Sequence, residues 1–184
     1  MSLLLRADGL ALVRGGRLLF EGLNLELAPG DALHIVGPNG SGKSSLIRLI
    51  AGLLKPDAGM LERSPAALAD EGLALDRELP LRRALSFWKG PRLDEAMASF
   101  NLEELAAVPV RMLSTGQARR ARLARAMASG APLWLLDEPL NGLDHTSVGL
   151  LESAIAAHRA GGGAILFASH LPVSAACGQL ELGE

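Results

Sequence analysis

Two stretches of this sequence combine residue types and spacings suited to holding a polyphosphate. The first, Gly37-Pro38-Asn39-Gly40-Ser41-Gly42-Lys43-Ser44, fits G-x-x-x-x-G-K-[ST]. Glycines let the backbone curl until successive N–H groups point inward at phosphate oxygens, and a helix that begins there adds the positive end of its dipole. Lys43 then neutralises terminal phosphate charge. Ser44, followed by Ser45, supplies the hydroxyl that such loops present to magnesium. The second stretch is the acidic pair Asp137-Glu138 at the end of the apolar run Leu133 to Leu136. Asp137 is placed to hold magnesium through water, and Glu138 to orient or deprotonate an attacking water. A cap or turn residue is the plainer reading of Asp137. Four apolar residues before it, and a phosphate loop elsewhere in the chain, favour the chemical one.

These side chains need a sheet behind them. Ala32 to Val36 reads as a compact buried strand leading into the glycine turn, and a helical pattern follows from about Ser44 to Leu53. Residues 3–27 hold short apolar runs separated by Arg14-Gly15-Gly16, which predicts antiparallel strands at a sheet edge. Pro56, Pro65, Pro80, Pro91 and Pro109 divide residues 55–110 into short pieces, with helices at Leu81 to Trp88 and Leu93 to Leu105. A long helix from Ser114 to about Ser129, the strand 133–137, a helix from Thr146 to Arg159 and the strand Ala164 to Ala168 complete the reading. Alternating strands and helices predict an α/β fold with a mostly parallel, covered sheet. We expect one domain over residues 1–184, with residues 1–54 and 130–184 as the catalytic core. Residues 55–129 form a smaller helical subdomain.

Composition excludes several classes. At 184 residues the chain can bury one sizeable core, and with 3% aromatics and no tyrosine that core must be aliphatic. The 18 basic and 20 acidic side chains leave a formal charge of -2, so no overall field gathers nucleic acid. Arg6 and Asp8 interrupt the N-terminal apolar pattern, which reads as a strand and not a secretory signal. The longest apolar runs fall well short of the roughly 20 residues that cross a bilayer, so direct membrane insertion is not expected. Cys177 is the single cysteine, which excludes an internal disulfide and points to a cytoplasmic setting.

Leu113-Ser114-Thr115-Gly116-Gln117 lies upstream of Asp137-Glu138-Pro139 and looks like the LSGGQ signature of ATP-binding cassette (ABC) proteins. That family also places a loop ending in aspartate after the acidic pair, here Asn141-Gly142-Leu143-Asp144, and a histidine after the next strand, here His170. The chain resembles ABC ATPases over almost its whole length. The resemblance implies the P-loop ABC-ATPase fold, ATP and Mg2+ as ligands, and a head-to-tail homodimer. In that dimer Ser114, Gly116 and Gln117 of one copy, with Asp144, meet the nucleotide held by the loop of the other. It implies catalytic roles for Glu138, His170 and Lys43. Transmembrane permease subunits are the implied partners, with the cassette peripheral at the inner face of the bacterial cytoplasmic membrane.

Two departures from the family pattern stand out. The place of the adenine-stacking aromatic looks like Arg14, whose guanidinium plane could stack in its stead. No glutamine occurs at residues 69–73, where the family's glutamine loop belongs, so Asp70 or Glu71 takes the metal-facing role. The short chain, together with Pro132 to Pro139, is similar to the haem-exporter branch that serves cytochrome c maturation. A cassette energising another cargo is the alternative. A small-molecule kinase would not need Leu113 to Gln117, and a DNA-repair or translation cassette would show coiled coils, duplicated cassettes or a basic surface. Arg119, Arg120, Arg122 and Arg125 read as a solvated helix face, and His34, His145 and His158 as ordinary sheet or surface residues.

Overall fold

The computed structural model describes residues 3–87, 90–170 and 178–183. Strands β1 (Leu5–Arg14) and β2 (Arg17–Leu27) form an antiparallel hairpin in which Arg14 pairs with Arg17. Gly15 and Gly16 make the two-residue turn with φ of 59° and 77°. Both values lie in the left-handed region that glycine adopts without strain, and such turns match the twist of the flanking strands. After β3 (Ala32–Val36) and helix α1 (Lys43–Ile50), strand β4 (Ala58–Arg63) pairs antiparallel with β1 and completes a sheet of order β2-β1-β4.

The remaining elements are β5 (Ala66–Ala69), α2 (Leu81–Ser86), α3 (Leu93–Ser99), α4 (Thr115–Ala128), β6 (Leu133–Asp137), α5 (His145–Ala160), β7 (Ala164–Ala168) and β8 (Gly178–Glu181). Five strands build a second sheet of order β5-β6-β7-β3-β8, and every pairing in it is parallel. All five residues of β6 and of β7 are buried, as a parallel sheet covered on both faces requires. The pleat splits them between two cores. Leu133 and Leu135 pack with α1 and the antiparallel hairpin, while Trp134 and Leu136 pack with α2, α3, α4 and α5. At roughly 1.5–3 kcal/mol per fully buried large apolar side chain, these two clusters hold the sheet rigid behind its carboxyl edge.

Two expectations are corrected, and one strand is new. Residues 58–69 are strands β4 and β5, one in each sheet, so this part of the stretch assigned to the helical subdomain is β structure. Their residues hide the fact: β4 is mostly exposed without alternation, and β5 is Ala-Ala-Leu-Ala, a run with little intrinsic strand preference. Helix α3 stops at Ser99, because Asn101 turns left-handed with φ of 51° and only a short 3-10 turn, Glu103–Leu105, follows. Strand β8 was not anticipated, and it lies parallel to β3 beside the phosphate loop. The predicted end of α2 at Trp88, and Cys177, lie outside the described residues. Among the described residues no helix is long and apolar enough to cross a membrane.

Candidate active site

The loop between β3 and α1 is shaped by glycines at positive φ: Gly37 at 143°, Gly40 at 80° and Gly42 at 106°. Gly42 caps α1, so the helix opens directly at Lys43 with its free N–H groups facing the loop. The Lys43 side chain is buried and arches back, its Nζ donating to the carbonyls of Gly37 at 2.7 Å and Pro38 at 3.0 Å. A cation is thereby held over the amides that would cradle phosphate. Ser41 is buried beneath, and its Oγ has no hydrogen-bond partner among the described residues.

Opposite, β6 delivers Asp137, only 4% exposed, and Ser44 Oγ donates to its Oδ1 at 2.9 Å. Burial pushes the Asp137 carboxyl above its ordinary range, opposed by the Ser44 hydrogen bond and by Arg48 and reinforced by Glu138 and Asp70. A buried carboxylate disfavoured as an anion gains from a nearby cation. The donor set of Ser44 hydroxyl and Asp137 carboxylate, with Glu71 lining the same cavity as Ser44, is all oxygen, which suits a hard divalent ion. Among the described residues no group of three or more His, Cys, Asp or Glu could hold a metal ion by itself. A divalent ion here would complete its coordination with water or phosphate oxygens, as magnesium does in phosphoryl-transfer sites.

The next residue, Glu138, adopts φ of 48°. The turn is held by its N–H donating to the Ala168 carbonyl at 2.9 Å and by the Asn141 N–H donating to the Glu138 carbonyl at 3.2 Å. This unusual backbone throws the side chain out of the sheet edge toward His170. His170 Nε2 lies 3.3 Å from Glu138 Oε1, and the His170 N–H donates to Oε2 at 3.4 Å. The Glu138 side chain is 15% exposed and that of His170 53%, so the pair borders open space.

That space is a cavity of about 370 Å³ lined by Asn39, Gly40, Gly42, Lys43, Ser44, Ser45, Glu71, Glu138 and His170, together with Leu19 and Asn141. Residues nominated from four separate stretches meet there, and the volume falls within the usual range of ligand pockets. Arg14 is not among the lining residues; it is exposed at the end of β1. The hairpin instead brings Arg17, whose Nη1 stands 3.9 Å from the place a Cβ at Gly40 would occupy, and Leu19. Sequence reasoning missed both, since neither belongs to a motif. Asp70 is turned into its own loop, Oδ1 accepting from the Gly72 N–H at 3.1 Å.

The signature residues are not part of that cavity in the single chain. Ser114 caps α4 with a capping box: its Oγ accepts from the Gln117 N–H at 3.3 Å, and Gln117 Oε1 accepts from the Ser114 N–H at 2.8 Å. The Gln117 amide oxygen is thus engaged in the cap. A Cβ at Gly116 would meet nothing within 4 Å, so this side of the helix start faces open space. Thr115 lines a second cavity of about 320 Å³, which shares Glu71 and Asn141 with the first. Asp144 is exposed and caps α5, and hydrogen bonds from Ser147 hold its carboxyl below the usual carboxylate range.

The arginines of α4 are not a solvated face. Arg119 Nη1 donates to the Gly142 carbonyl, Arg120 to Phe100 at 2.8 Å, Arg125 to Leu68 at 2.6 Å, and Arg122 is 6% exposed. Arg119, Arg120 and Arg125 fasten the helix to the backbone around it. His34 and His158 are buried, stacked on Phe167 and Trp134 at 4.5 and 4.0 Å respectively. His34 Nε2–H donates to the Ser169 carbonyl at 2.8 Å.

The family model for the ABC transporter matches residues 20–141 of this chain. A curated relative from Sphingopyxis alaskensis, named cytochrome c biogenesis ATP-binding export protein CcmA, is 58% identical over 95% of this chain and 93% of its own length. The chain belongs to the ABC transporter family. A relative of the same name from Novosphingobium aromaticivorans is 56% identical over 91% of this cassette and 89% of its own length. Among solved structures, an ATP-binding subunit of an ABC transporter superposes with TM-score 0.87 at 24% identity, covering 97% of the cassette and 85% of that chain. A metal-chelate type ABC transporter in an inward-facing conformation superposes with TM-score 0.85 at 26% identity, covering 100% of the cassette and 80% of that chain. The cassette is therefore a nucleotide-binding ATPase of the ABC fold.

Proposed function

We propose that this cassette is the ATP-binding subunit of an export complex serving cytochrome c biogenesis, with haem or a haem carrier as the beneficiary. It works as a head-to-tail dimer beneath permease subunits at the inner face of the bacterial cytoplasmic membrane. The observation that carries the reading is the meeting of Lys43, Ser44, Glu138 and His170 at one cavity, in a chain 58% identical to a protein named for that process.

In this reading the loop amides and Lys43 bind the triphosphate, which leaves the terminal phosphate toward Glu138. Glu138, steadied by His170, orients a water and takes its proton, a step within reach of a carboxylate at the cavity wall. Ser44, Asp137 and Glu71 would hold Mg2+, which when bound neutralises charge developing on the phosphate oxygens. Ser114 and the amides of Thr115 and Gly116 in the partner copy would meet the same phosphate through the positive end of α4. ATP then joins two copies, and its hydrolysis separates them.

Replacing Glu138 by Gln keeps the side-chain shape but removes the proton acceptor. Loss of a general base lowers the rate by about 10²–10⁴-fold. The Glu138→Gln chain should sediment as a dimer with ATP and as a monomer without it. Turnover at the parent rate would remove Glu138 from its role, and a monomer with ATP would remove the dimer mechanism. Affinity capture of the tagged cassette from membranes should retain a permease of the cytochrome c system; recovery of a different permease overturns the cargo assignment alone.

A further inference from the structure

Arg122 is the one arginine of α4 that no backbone carbonyl explains. It is 6% exposed, its Nε is sealed from solvent, and among the described residues it makes no hydrogen bond or ion pair. A guanidinium carries five N–H donors, and a buried one without acceptors is costly unless carboxylates stand close. They do. Arg122 lies in the field of Asp70, Glu71 and Asp137, with the Arg119 cation opposing, and burial pushes it below the ordinary arginine range. It lines the signature-side cavity together with Glu71 and Asn141, the two residues that also line the nucleotide cavity.

The three carboxylates differ in freedom. Asp137 accepts from Ser44, and Asp70, the strongest of the three in its effect on Arg122, is tied to the Gly72 amide and lines neither cavity. Glu71 is exposed, fronts both cavities, and has no hydrogen bond or ion pair among the described residues. It is the carboxylate with somewhere to go. We propose that Arg122 is a positioning residue for Glu71: the guanidinium draws that carboxylate toward the signature-side cavity and yields it when a metal–nucleotide complex competes from the neighbouring one. Two sites sharing one mobile anion are coupled, and the coupling is reciprocal. Arg122 stands about two turns from Ser114 on the same helix, so the metal site and the signature helix are linked through Glu71. This rests on the metal-facing reading of Glu71 given above.

The test separates the metal's share of binding from nucleotide binding as a whole. The affinity of the full chain for a fluorescent, non-hydrolysable ATP analogue is measured with Mg2+ and again with EDTA, and the ratio of the dissociation constant in EDTA to that in Mg2+ is compared across variants. A merely structural change at Arg122 alters both constants together and leaves their ratio unmoved. Arg122→Met, which keeps the bulk without the charge, should raise the ratio about fivefold, the lower range of typical couplings. Arg122→Lys should restore it close to the parent value. Glu71→Gln should lower the ratio, and adding Arg122→Met to Glu71→Gln should change nothing further. If Arg122→Met does not fold, Arg122→Gln takes its place with the same expected values. A ratio unchanged in the Arg122 variant, or a shift that persists without the Glu71 carboxylate, overturns the proposal while leaving Glu71 as a ligand. A ratio unchanged in Glu71→Gln overturns both.

Discussion

Gly37→Ala probes how tightly the phosphate loop is built against its neighbouring strand. A Cβ at residue 37 would sit 2.2 Å from the Leu182 carbonyl oxygen and 2.9 Å from Ser41 Oγ, at a backbone φ of 143°. The nearer obstacle is backbone and cannot rotate aside. Relief requires the segment after β8 to move away, which breaks the Leu182 N–H bond to the Val36 carbonyl at 2.9 Å and withdraws Leu182, only 3% exposed, from its core. The lost hydrogen bond contributes about 1 kcal/mol, partial exposure of the leucine about 1 kcal/mol, and the backbone strain about 1–3 kcal/mol. The sum is about 3–5 kcal/mol against a typical domain stability of about 5–15 kcal/mol. Gly40→Ala is the control, with φ of 80° and nothing nearer than 3.9 Å, so it carries only about 1–2 kcal/mol of left-handed strain. With a urea slope of about 2 kcal/mol/M, the midpoint should fall by about 1.5–2.5 M for Gly37→Ala and about 0.5–1 M for Gly40→Ala. Equal midpoints would show that the Leu182 contact does not constrain the loop.

Three further outcomes are expected. Lys43→Ala removes the cation held over the loop carbonyls and should weaken nucleotide binding at least tenfold by isothermal titration, a change worth about 1.4 kcal/mol. Ser114→Ala breaks the cap on Gln117, so the urea unfolding free energy should drop by about 1 kcal/mol, and ATP should no longer drive dimerisation in a Glu138→Gln background. Burial holds His158 below its ordinary pKa of 6.5, so the unfolded chain binds a proton that the folded one resists. Stability contributed by the neutral ring is complete above pH 6.5 and declines as pH falls below it, by at most about 1.4 kcal/mol per pH unit. Melting temperatures at pH 7.5 and 5.5 should show this loss, and His158→Leu should reduce it.

The phosphate loop, the acidic pair and the signature were legible because each depends on local backbone chemistry: glycines at positive φ, a strand end, a helix cap. Strands β3, β6 and β7 announced themselves as apolar runs, since a strand covered on both faces needs no alternation. Strand β5 did not, because Ala-Ala-Leu-Ala is held in place by pairing with β6, a partner over sixty residues away in sequence. The inward face of α4 was misread for a related reason. Its buried side carries Ala121, Ala124, Ala126 and Ala128 with only Leu123 and Met127 as large apolar residues, and alanine is too small and too neutral to mark a face. Arg119, Arg120 and Arg125 find backbone carbonyls that only the tertiary fold brings near. The hairpin placed Arg17 and not Arg14 beside Gly40; the two arginines pair across a two-residue turn, and their order in the sequence does not tell which one reaches the loop.

The reciprocal bonds between Ser114 and Gln117 have a last consequence for the working cycle. Each residue satisfies the other's amide from within the chain, so the helix start keeps its shape with or without a phosphate in front of it. In the proposed head-to-tail dimer a departing nucleotide leaves that surface finished and ready for the next.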